Sequence, residues 1–83
     1  MTPAQIEAIC ESTVPGWGWT AIPCQLAVLV QGTAPDGSEV RRYVLATDSP
    51  ERISGQAKDA RACWLARAIR EELPPEVEEM ANG

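Results

Sequence analysis

Side chains able to do covalent or acid–base chemistry are scarce in this chain of 83 residues, which has three cysteines, a single lysine and no histidine. Without an imidazole, general acid–base work near neutral pH falls to carboxylates or to Lys58. Cys10, Cys24 and Cys63 are odd in number and widely spaced, with no C-x-x-C. That supports neither a disulfide framework nor a zinc site, and each cysteine reads as a small core hydrophobe. Ser12, Ser38, Ser49 and Ser54 suit caps and turns better than nucleophile positions. Neither the phosphate-binding loop nor the dinucleotide fingerprint is present, and the glycines fall at turns. The expectation is a protein that is not an enzyme, with no cofactor, no metal and no small-molecule substrate.

What remains is the chemistry of association. The net charge of −5 is unevenly placed, because residues 1–70 are neutral overall and the whole excess sits in Glu71, Glu72, Glu76, Glu78 and Glu79. No base precedes Arg41. The chain is therefore neutral at its start, basic from 41 to 70 and acidic at its end. An acidic end of this kind can offer a basic protein surface what nucleic acid would offer it. Trp17, Trp19 and Trp64 are the other candidate partner contacts. In a chain without phenylalanine such rings are also scarce core material, so at least one of Trp17 and Trp19 is expected to be buried.

These groups must be positioned by one thin core, since a chain this short buries only about 60–65% of its unfolded surface. Thr2 and Gln5 form a capping-box pair around Pro3, which predicts a helix over 3–13 ended by Val14-Pro15-Gly16. Trp17 to Ile22 alternates as a short strand, with Pro23 marking an edge, a bulge or a break. Cys24–Gln31 and residues 39–47 read as a hairpin through Ala34-Pro35-Asp36-Gly37. A three-residue loop puts Leu26, Val28 and Val30 on one face with Val44 and Ala46; a two-residue loop pairs them with Tyr43 and Leu45 instead. Both faces are rather apolar, which implies cover on both sides or an interface on one.

A long helix is predicted over about 49–73, capped by Asp48 with Glu51 three residues on and stopped by Pro74 and Pro75. It carries two apolar stripes. Ile53, Ala57, Ala60, Trp64 and Ala68 form one, and Ala62, Leu65, Ala66, Ile69 and Leu73 the other. A helix apolar on two sides usually has two packing partners, so one stripe is expected on the sheet and the other on the first helix. The alternative is that one stripe is left for a partner protein or a second copy of the chain.

The expected fold is α+β, an α-β-β-β-α (or α-β-β-α) domain over 1–75 with an antiparallel sheet, both helices on one face, and a short acidic tail at 76–83. This element order resembles the double-stranded-RNA-binding domain across residues 2–73. That resemblance implies phosphate contacts at the start of the second helix, where Ser54-Gly55-Gln56-Ala57-Lys58 supplies only Lys58, with Arg61 nearby. The order also resembles small acidic phage-encoded inhibitors, including some anti-CRISPR proteins. The leading expectation is a small inhibitor or interaction protein that binds a host protein or nucleoprotein complex. The alternatives are an RNA-binding module using Arg41, Arg42, Lys58 and Arg61, and a self-associating subunit, possible homodimers included. The chain lacks an apolar run of membrane-spanning length and a signal-peptide pattern at its start, so a cytoplasmic location is expected.

Overall fold

The computed structural model describes residues 1–72, with only the backbone of 71 and 72. Its elements are α1 (Pro3–Thr13), β1 (Gly18–Pro23), β2 (Val28–Thr33), β3 (Glu39–Val44) and α2 (Pro50–Glu72). The capping box at the start of α1 is complete: the Gln5 amide N–H donates to Thr2 Oγ1, and the Thr2 N–H donates to Gln5 Oε1 at 2.8 Å. The cap of α2 is Ser49, not Asp48. Ser49 Oγ accepts from the Arg52 N–H, whereas the Asp48 carboxylate is taken by the Leu45 N–H at 2.7 Å, in a turn closed by Asp48 N–H to Leu45 O. Gly55 lies within an unbroken helix.

The three strands form an antiparallel sheet in the order β1-β2-β3. The hairpin between β2 and β3 uses the three-residue loop Pro35-Asp36-Gly37. Gly37 donates to Ala34 O, Ala34 donates to Ser38 O, and Gly37 takes φ +90, the left-handed region that favours glycine. Val28 accordingly pairs with Val44, and both are buried. The start of β2 corrects the expected strand. Pro23 ends β1 opposite Val28, and Cys24–Ala27 is a turn closed by Cys24 N–H to Ala27 O at 2.8 Å. Leu26 therefore sits on that turn at 89% exposure instead of on the buried face.

Both helices cover the same face of the sheet, α1 against β1 and α2 against β3, and they touch each other. The core is built from Ile6, Cys10 and Val14, Ala21, Val28, Val30 and Val44 of the sheet layer, and Ile53 and Ala57 of α2. Glu7 reaches across to accept the Ala21 N–H at 2.8 Å, occupying a donor on an edge strand that would otherwise be open for pairing. Thr13 Oγ1 and Ser54 Oγ lie 2.9 Å apart and join the two helices.

Of the three free thiols only Cys10 is core; Cys24 and Cys63 are exposed, which corrects the expectation that all three would pack inside. Burial, assisted by the negative charge of Glu7, pushes the Cys10 thiol from 9.0 up to about 11. A raised thiol pKa favours the protonated native form, so its contribution to stability is complete below pH 9 and is lost as pH rises through about 11. Native protein treated with an aromatic disulfide reagent should therefore show two fast thiols and one slow one that becomes fast on unfolding. Three equal fast rates would contradict the buried position of Cys10.

Candidate interaction surface

The three tryptophans converge although they come from different parts of the chain. Trp17 and Trp19 stack at 5.6 Å between centroids with 15° between planes, and Trp64 meets Trp17 edge-on at 5.5 Å and 84°. Each peripheral ring is anchored by its N–H: Trp19 Nε1 donates to Val14 O at 3.0 Å, and Trp64 Nε1 donates to the Asp36 carboxylate at 3.2 Å. The backbone and hydroxyl of Ser38, and then the Trp64 indole, hold the Asp36 carboxyl below its usual range. Trp17 is only 5% exposed. Its ring is already enclosed, whereas Trp19 and Trp64 are half-buried.

The four basic residues proposed for nucleic acid do not come together. Arg41 and Arg42 are neighbours on an edge strand and so project to opposite faces. Arg41 lies on the open face near Glu39 at 3.7 Å, while Arg42 Nη2 reaches Cys63 Sγ on α2 at 2.8 Å. Lys58 and Arg61 are exposed on α2. Glu71 and Glu72 close α2 by backbone only, and Glu76, Glu78 and Glu79 lie outside the described residues, as do Leu73 and the two prolines after it.

Two apolar surfaces are uncovered instead. On the sheet face away from the helices, Ile22, Leu29 and Tyr43 stand directly opposite one another across three strands. Tyr43 is 66% exposed, Ile22 is exposed at the other end of the row, and Leu45, also exposed, continues it beyond β3. Thr20, Gln31 and Arg41 form the next row, and Thr33 and Glu39 the last. These sheet residues were missed as candidates, although the apolar character of both strand faces was their signal in the sequence.

The second surface is on α2. The stripe of Ile53, Ala57, Ala60 and Trp64 faces the core, while Ala62, Leu65, Ala66 and Ile69 are exposed, with Leu65 at 43% and Ile69 at 58%. The expectation that α1 covers this second stripe is thus overturned. α1 meets the first turns of α2, where Ala8, Ile9, Ser12 and Thr13 face Pro50, Glu51 and Ser54 across an open groove of about 420 Å3. Among the described residues no helix is long and apolar enough to cross a membrane, and no group of three or more potential metal ligands occurs. Comparison with known proteins finds no matching family model, no matching curated protein and no matching solved structure.

Proposed function

We propose that this chain is a non-enzymatic interaction protein that works by occupying the surface of a protein or nucleoprotein partner, as small inhibitors do. The observation that carries the reading is the uncovered sheet row of Ile22, Leu29 and Tyr43 continued by Leu45. In so small a domain that row is a contiguous apolar patch, and such patches mark binding sites more often than neutral surface. A rigid sheet also presents it without an ordering cost at docking. The partner that fits is a protein with an apolar contact site rimmed by basic residues, because the excess negative charge at 71–79 steers association with a basic surface. Exposed thiols at Cys24 and Cys63 suit a reducing compartment, so the cytoplasm is the proposed place of action.

The test is quantitative affinity capture from the source cells with full-length protein, with Tyr43→Asp, and with a chain truncated after Pro75. A true partner should be lost with Tyr43→Asp and bound more slowly by the truncated chain at low salt, since a rim of charge mainly sets the association rate. Both variants should keep native circular dichroism, because Tyr43 is exposed. A set of captured proteins that is the same for all three chains would overturn the sheet as the docking face.

A further inference from the structure

We propose that two copies of this chain pair through the outward stripe of α2, with the two helices antiparallel about a two-fold axis between residues 65 and 66. This goes beyond the docking role of the sheet, which lies on the other side of the domain. The stripe is built from alternating sizes, Ala62, Leu65, Ala66 and Ile69, all exposed. Antiparallel pairing about that axis sets Ile69 of one copy against Ala62 of the other, while the two Leu65 side chains meet on one side of the axis and the two Ala66 methyl groups on the other. The same patch serves both copies, as an isologous dimer requires.

The flanking charges fit the same arrangement and choose a second copy over an unrelated occupant. With about 100° per residue, Asp59 and Arg70 fall along one flank of the stripe. In an antiparallel two-fold pair each flank faces its own counterpart. Asp59 then stands near Arg70 of the second copy, a contact made twice. A parallel pairing in register would instead leave Asp59 and Arg70 of the two copies about three helical turns apart, out of reach of each other. The contact spans only a few helical turns, well short of a permanent interface, so the dimer is expected to dissociate at roughly micromolar concentrations or above.

Analytical ultracentrifugation of the full chain, from low micromolar to several hundred micromolar, tests the proposal. The expected result is a rise in apparent mass from the 9.0 kDa monomer toward twice that value, and less of a rise at high salt. Leu65→Asp with Ile69→Asp should stay monomeric throughout with an unchanged melting curve, since both side chains are already at the surface. Asp59→Lys should weaken the dimer, and adding Arg70→Glu should restore it, a rescue that only this register and direction give. A wild-type monomer across the whole range would overturn the proposal, as would a dimer that survives Leu65→Asp with Ile69→Asp. Loss of the dimer in Tyr43→Asp instead would move the contact to the sheet and overturn it equally. None of these outcomes depends on partner capture, so each reading can fail alone.

Discussion

Trp17→Ala should cost about 3–5 kcal/mol, a large part of the roughly 5–15 kcal/mol that a small domain holds in total. Trp17 is the one indole enclosed on nearly all sides, and it touches both other tryptophan rings. Through it the segment after α1 is tied to the middle of α2, so its loss opens a cavity between them. Urea unfolding followed by circular dichroism measures the effect. Trp64→Ala removes a half-exposed ring and should cost clearly less. Because the two rings are in contact, the double variant should lose less than the sum of the single ones. A loss below about 1 kcal/mol for Trp17→Ala would mean that the site collapses without consequence and that the cluster is not central to the fold.

What the sequence makes legible here is local. Thr2, Pro3 and Gln5 lie within one helical turn, and their capping chemistry specifies the start of α1 whatever surrounds it. Pro35-Asp36-Gly37 likewise contains its own turn, and with it the register that buries Val28 and Val44. The cap of α2 was misplaced by one residue because Asp48 and Ser49 are both good caps, and the choice is made by Leu45, whose N–H binds the Asp48 carboxylate first. The first residues expected in β2 failed for a similar reason. Cys24 to Gln31 is uniformly suitable for a strand, so composition could not show that the chain turns at 24–27 where pairing with β1 stops at Pro23.

The candidate surface was less legible because exposure is a long-range property. Two apolar stripes on α2 look alike from inside the helix. The one that is buried is the one that meets Trp17, delivered from a segment dozens of residues earlier, while α1 reaches only the first turns and leaves Leu65 and Ile69 open. The same holds for the sheet: Leu29 and Val30 are equally apolar neighbours, and only the arrival of both helices on one side decides that Val30 is core and that Leu29 joins Ile22 and Tyr43 on the open face.

Gly32→Ala should destabilise the domain by about 1–3 kcal/mol, an overpacking penalty at a position that looks innocuous in sequence. Gly32 is a buried strand residue opposite Trp19 and Val40, not a turn residue as the distribution of the other glycines suggests. Its requirement is space. A Cβ there would stand 2.7 Å from Trp19 Cζ3 and 2.9 Å from Trp19 Cη2, closer than carbon atoms tolerate, and 3.0 Å from Trp17 Cε3, tighter than ordinary contact. Trp17 is enclosed and cannot give way, so Trp19 must swing outward and release its hydrogen bond to Val14 O. Two readouts follow: a lower urea midpoint, and a Trp19 ring more open to a fluorescence quencher, seen by difference against Trp19→Ala. In the Trp19→Ala background most of the clash is gone, and Gly32→Ala should there cost little. Equal costs in both backgrounds would show that the glycine serves the strand backbone itself and not the approach of the indole.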